Sequence, residues 1–176
     1  MLVALERILG LAQKLGAEYA DARYVSVTSE PVSLSSDGAP QTSVSKSAGL
    51  GLRVLVDGAW GFCATPYLDQ RSLEKTADEA VKIASASAIQ KIGDGVGLSP
   101  LEPVRARWQT PYKVDPLTVK LEDRIAFLKD VVDSAGRVPG VTRVSAGLMA
   151  HREDKEFAST DGRQIEQAIV HTGASV

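Results

Sequence analysis

Two five-residue turns, 124 positions apart, set the frame for this chain. Leu34-Ser35-Ser36-Asp37-Gly38 is echoed by Ala158-Ser159-Thr160-Asp161-Gly162, and the glycine eleven residues after each turn, Gly49 and Gly173, keeps the same separation. An Asp-Gly pair tolerates the backbone geometry of a tight reversal, so each echo marks a joint between two strands. A turn repeated in this way constrains the chain to two copies of one supersecondary unit. After the first turn the sequence runs on through a glycine-spaced strand, a hairpin and a helix. After the second it reaches Val176, so the second unit is expected to be incomplete and the chain to be the front part of a longer protein.

Hydrophobic periodicity fills in the units. Leu5, Ile8, Leu9, Ala12 and Leu15 recur at helical spacing over 2–15, and Gly16 is placed to end that helix. Residues 22–28 read as a strand, with Pro31 interrupting it or marking an edge. A polar strand is expected over 41–47. Leu50, Leu52, Val54 and Val56 then alternate with other residues, Asp57-Gly58 turns the chain, and Trp60, Phe62 and Ala64 share one face of the next strand. Small residues in a helix over 70–89 imply close packing on a sheet. Composition makes 91–103 a loop, with an extended piece over 108–114. Asp115-Pro116 starts a helix that continues through Leu121, Ile125, Leu128, Val132 and Ala135 to Gly136. Three strands follow, over 141–150, 156–160 and 163–172, and the charged run 152–156 reads as a solvated hairpin tip.

The expected fold class is therefore α+β: antiparallel meander sheets with helices packed on one face, in two related α-βββ units. Residues 1–90 form the first unit, which adds a closing helix, 91–114 a linker, and 115–176 the second unit, truncated at its C-terminal end. Arg7-Ile8 in the first helix is echoed by Arg124-Ile125 in the third, at a spacing that requires a short insertion. A sheet lacking its closing helix leaves a free edge, so self-association is expected.

Composition narrows the function classes. The chain has 176 residues, 24% of them charged, with a net charge of −2 and no run of Lys or Arg. That excludes a general nucleic-acid binder, which needs a basic stripe, and disfavours an anionic membrane surface. Cys63 is the only cysteine, so no intrachain disulfide forms and a reducing cytoplasm is the expected compartment. The N-terminus lacks a basic leader and no apolar run approaches membrane-spanning length.

Few residues carry a chemical signal. His151 and Glu153 face the same way on a strand, but together make at most half of a zinc site; a polar strand end is the plainer reading. Cys63 alternates with Trp60 and Phe62 and points the other way, where a helix would bury it as a small apolar residue. Gly49-x-Gly51 lacks the third glycine and the following helix of a dinucleotide loop; on a strand it leaves the backbone open for an extended peptide. The glycine-rich loop 93–97 lacks the alternating acids of a calcium site. Gly49, Gly51, Arg53, Trp60 and Phe62 are thus the candidate substrate or partner surface, with core burial the simpler fate of the two aromatics. No catalytic or metal-ligating residue is assigned. An independent hydrolase triad ranks below these readings, because no G-x-S-x-G elbow is present.

Ser47-Ala48-Gly49-Leu50-Gly51-Leu52-Arg53-Val54, then Gly58-Ala59-Trp60-Gly61-Phe62, then Leu73-Glu74-Lys75 and Glu79-Ala80-Val81-Lys82-Ile83-Ala84 resemble the N-terminal region of the TldD/PmbA family, also called peptidase U62 or modulators of DNA gyrase. Asp115-Pro116-Leu117 and Phe157-Ala158-Ser159-Thr160-Asp161-Gly162 extend the resemblance over nearly the whole chain. The G-x-G-x-R-V and W-G-F strings look closer to the TldD branch than to the PmbA (TldE) branch. The resemblance implies a cytoplasmic zinc metalloprotease built from two related subunits and acting on peptides or unfolded proteins in an enclosed chamber. Its motif, H-E-x-x-x-H, is absent from these 176 residues, so zinc is expected only in a longer protein and this chain alone is expected to be inactive. The non-enzymatic alternative is an α+β binding module that captures extended peptides or a partner subunit by strand addition.

Overall fold

The computed structural model describes residues 2–90, 93 and 95–176. In chain order its elements are α1 (Leu2–Lys14), β1 (Tyr19–Ser35), β2 (Gln41–Thr42), β3 (Ser45–Val56), β4 (Ala59–Thr65), α2 (Gln70–Ile89), β5 (Arg105–Gln109), a 3-10 turn (Pro116–Thr118), α3 (Leu121–Gly136), β6 (Ser145–Ser159) and β7 (Gln164–Ser175). The strands are ordered β4-β3-β1-β6-β7-β5, with β2 beside β1. This is the expected α+β class. Contacts gather the chain into two units: residues up to 26 with 48–108 and 154–167, and residues 27–47 with 109–153 and 168–176. Each unit draws on sequence from both sides of the 91–114 stretch.

In the first unit, α1 buries Leu5, Ile8, Leu9 and Ala12 of the predicted stripe, whereas Leu15 lies past the helix end at Lys14 and is exposed. Gly16 ends it at φ +99°, and the Ala17 N–H returns to the Ala12 carbonyl at 3.0 Å, closing the helix in a left-handed cap. The β3–β4 hairpin pairs Val56 with Ala59 across Asp57 and Gly58, both at positive φ, the geometry that matches strand twist. Asp69 caps α2 by accepting from the Ser72 N–H at 3.0 Å. Leu50, Leu52 and Val54 on β3 are buried with Leu73, Ala77, Ala80 and Ala84 of α2. Each fully buried Leu contributes about 2 kcal/mol relative to exposure.

In the second unit, Leu128 and Val132 of α3 pack on Val32, Val144 and Ala146. The helix expected to start at Asp115 is instead two pieces. Asp115 caps only the 3-10 turn, accepting from the Leu117 N–H at 3.0 Å, and Val119 and Lys120 are extended before α3 begins. Arg124 stabilises the break: its guanidinium donates to the carbonyls of Val119 and Pro116 and to Glu30, each at 3.0 Å.

Other expectations are corrected. Strand β1 runs unbroken through Pro31, because that residue serves as an acceptor: its carbonyl takes the Ser43 N–H at 3.3 Å. The strand expected over 41–47 divides into β2 and the start of β3. The extended piece is Arg105–Gln109 rather than 108–114; it is flanked by bonds from Gln164 N–H to the Val104 carbonyl and from Thr110 N–H to the Ala168 carbonyl. The strands expected over 141–150 and 156–160 are one, β6, so 152–156 is half-buried mid-strand and not a hairpin tip. The region 115–176 accordingly holds two strands where three were expected. Of the 91–103 loop and its glycine-rich stretch, Lys91, Ile92 and Asp94 lie outside the described residues. Among the described residues, no helix is long and apolar enough to cross a membrane.

Candidate functional site

Strand β4 decides which face of the first unit is open. A Cβ built on Gly61 would lie 2.1 Å from the Ala80 carbonyl oxygen and 2.6 Å from the Ala84 nitrogen, so α2 rests directly on that glycine. Cys63, two residues on, packs against the same core and is half-buried. Alternation then sends Trp60, Phe62 and Ala64 to the opposite side. Core burial of the aromatics is therefore corrected: Phe62 is 60% exposed and Trp60 is half-buried. The small residues of W-G-F and of α2, rather than the aromatics, make the helix contact.

The open face holds a pocket of about 540 Å³, lined by Asp21, Arg23, Gly49, Gly51, Arg53 and Phe62 among others. Two glycines keep its floor free of their own side chains. A Cβ on Gly51 would stand 3.1 Å from the Phe62 ring, so the missing side chain is what lets that ring lie over β3. Arg53 donates twice to Asp21 Oδ2, at 2.9 and 2.7 Å, and lies 4.5 Å from the Trp60 ring centroid. Trp60 in turn meets the Tyr19 ring edge-on at 5.9 Å. Asp21 is a buried carboxylate, and this two-pronged contact is what makes its burial tolerable. Arg23 stands over the Phe157 ring at 5.5 Å.

The four candidates Gly49, Gly51, Arg53 and Phe62 thus line one pocket, and Trp60 joins them through Arg53. Sequence reasoning passed over Tyr19, Asp21 and Arg23. Their signal was the alternation of β1, in which odd-numbered residues from 19 to 25 share a face.

The second Asp-Gly turn adds a polar cluster to the same unit. The Asp161 carboxyl is held below its ordinary value chiefly by the hydrogen bond from Arg163, with Ser159 donating a second. Arg163 also donates to the Tyr19 hydroxyl at 3.2 Å, and burial, with the nearby Asp21 charge, pushes the Tyr19 phenol up.

Among the described residues no set fits a zinc ion. His151 and His171 place their rings 6.0 Å apart, centroid to centroid, on β6 and β7. Among the described residues no group of three His, Cys, Asp or Glu is arranged to hold a metal.

Comparison with known proteins places this geometry. The family model for PmbA/TldA metallopeptidase domain 1 matches residues 20–84, the stretch that supplies β1, β3, β4 and α2. No curated protein matches the chain. Among solved structures, TldE from Thermococcus kodakarensis superposes with a TM-score of 0.77 at 15% identity, covering 97% of this chain and 38% of its own. A proposed DNA gyrase modulator from Thermotoga maritima gives 0.78 at 17% identity, with the same coverage. A second, from Bacteroides thetaiotaomicron, gives 0.72 at 17% identity, again covering 97% and 38%. The chain spans a little over a third of the length of these neighbours.

Proposed function

This chain carries the first domain of the PmbA/TldD metallopeptidase family over residues 20–84, and from that premise we propose that it is the N-terminal, non-catalytic part of a zinc metallopeptidase of the TldD-like branch. Its role is to present a wall to peptide substrates and to contribute contacts with a homologous partner subunit, in the cytoplasm. The observation that carries this reading is the open face of the first unit: an apolar pocket with glycine backbone at Gly49 and Gly51, the exposed Phe62 ring lying against Gly51, and the Arg53–Asp21 pair bracing it. Aromatic and arginine side chains with open backbone are the ingredients of extended-peptide recognition.

Hydrolysis in this scheme uses zinc to polarise the scissile carbonyl and activate water, on residues beyond these 176. The 176-residue chain is expected to retain no stoichiometric zinc after dialysis and to leave unfolded peptides intact. Metal analysis and a mass-spectrometric cleavage assay check both, and one bound zinc per chain or any cleavage removes the reading.

A second reading is favoured by the position of β4 at one end of the strand order. An end strand offers unpaired backbone groups, so a binding module that captures a peptide or partner by strand addition is the alternative. Replacing Ala64, which sits in a non-hydrogen-bonded pair with Gly51, with Pro removes one outward-facing β4 N–H; affinity lost through that change with the pocket variants silent favours the edge over the face.

A further inference from the structure

The pocket's charges are unbalanced in a way that names its occupant. Of the three charged residues that line it, Arg53 is paired: its Nε and Nη2 both donate to Asp21, and its guanidinium carbon lies over the Trp60 ring. Arg23 has no carboxylate partner among the described residues; its one contact is the Phe157 ring. The lining therefore carries one positive charge in excess, at the margin of an apolar floor.

The strand geometry leaves room beside that charge. The β3–β4 ladder ends at the Leu50–Thr65 pair, and Pro66, which has no N–H, stops β4 from continuing alongside Gly49. Over Gly49 a side chain would meet only the backbone of Thr65 and Pro66, while the exposed Phe62 ring lies against Gly51 and walls the opening.

We propose that this pocket takes the C-terminal residue of a peptide, with an apolar side chain against Phe62 and the glycine floor and its free carboxylate on Arg23. The proposal rests on the reading that this face meets peptides. A terminal residue carries an apolar group and a carboxylate on the same Cα, which matches an apolar pocket with one adjoining cation. An internal Asp or Glu brings the charge but not the apolar group. The planar guanidinium fork suits a two-oxygen acceptor.

The probes are N-acetyl-Ala-Ala-Leu with a free carboxylate and the same peptide as its C-terminal amide, titrated into the isotope-labelled chain and followed by amide chemical shifts. The acid is expected to bind about tenfold tighter than the amide, as one charge-assisted contact allows. Arg23→Gln should abolish that preference, Arg23→Lys should keep part of it, and Phe62→Ala should weaken both peptides. Equal binding of acid and amide, or a preference that survives Arg23→Gln, overturns the proposal and leaves the peptide-facing reading standing. Binding of neither peptide overturns both.

Discussion

The turns at 35–38 and 159–162 are wired alike, yet they serve units that are built differently. In each, the serine hydroxyl donates to the aspartate Oδ1, and the glycine N–H returns to the serine carbonyl at 3.1 Å. In the second unit the Ser36 N–H donates to the Val144 carbonyl at 2.9 Å, and the Val144 N–H donates back to Ser36 Oγ at 3.2 Å. In the first unit Thr160 and Ala20 exchange the same two bonds, at 2.9 and 3.0 Å. Val144 lies 124 positions after Ala20, and Gly140, at φ +90°, lies 124 after Gly16 at φ +99°. The repeat is therefore carried by backbone brackets. The packing is not repeated: the first unit sets two helices against its strands, and the second has α3 alone. Nor is the Arg-Ile echo an equivalence. Arg7 is exposed and donates to Gln70 at 2.6 Å, whereas Arg124 is buried and holds three acceptors. Brackets that define strand reversals persist, while the surfaces between them take on separate work.

The largest test of that contrast is at glycine. Gly61→Ala forces α2 off β4 and is expected to lower stability by about 3 kcal/mol, the upper range for overpacking. Gly173→Ala in the second unit meets only the Met149 methyl at 3.8 Å and should change stability by no more than about 0.5 kcal/mol. Urea midpoints of the two variants decide it, and equal losses would break the contrast.

A smaller difference is expected between the two arginines. Arg124→Met leaves Glu30 and two carbonyls without their donor and should cost about 2 kcal/mol, less than a fully buried pair because Glu30 is partly exposed. Arg7→Met should fall within about 0.5 kcal/mol, since its partner is in water. The same denaturation curves report both.

The smallest effect separates the two aspartates. Both carboxyls are held below their ordinary 3.8, Asp161 chiefly by Arg163 and Asp37 chiefly by Ser35. A depressed carboxyl contributes stability that is full above the unfolded value and is lost as pH falls through the folded one. Asp161→Asn should therefore flatten the acid limb of the stability profile below about pH 4. Asp37→Asn should do so less, because its ion pair with Arg143 is more than half exposed and is screened by solvent. Midpoints measured on the acid side check the order of the two.

Much of the fold was legible where periodicity and turn chemistry agree. The stripe of α1, the Asp57-Gly58 hairpin and the small-residue face of α2 were read from spacing alone. Legibility failed where distant groups decide. Nothing local shows that Arg124 caps a break between Pro116 and α3, or that the charged run 152–156 is paired within a long strand. The site was half legible. The glycines and Arg53 stood out, but the face of Trp60 and Phe62 was misread because hydrophobicity was taken for burial. Gly61 was the overlooked signal: a glycine between two aromatics marks the side on which another backbone approaches. Alternation along β1 puts Asp21 and Arg23 on one face, but that this face meets Gly49, Gly51 and Phe62 depends on which strands lie beside it.

The central claim is that the working surface is the open face of the first unit. Amide shift mapping of the labelled chain with N-acetyl-Ala-Ala-Leu amide tests it most directly. Perturbations gathered at 21–25, 49–53 and 62–66, with the second unit's 139–153 unmoved, are the predicted result. Perturbations centred on 139–153, with the pocket residues silent, would contradict it.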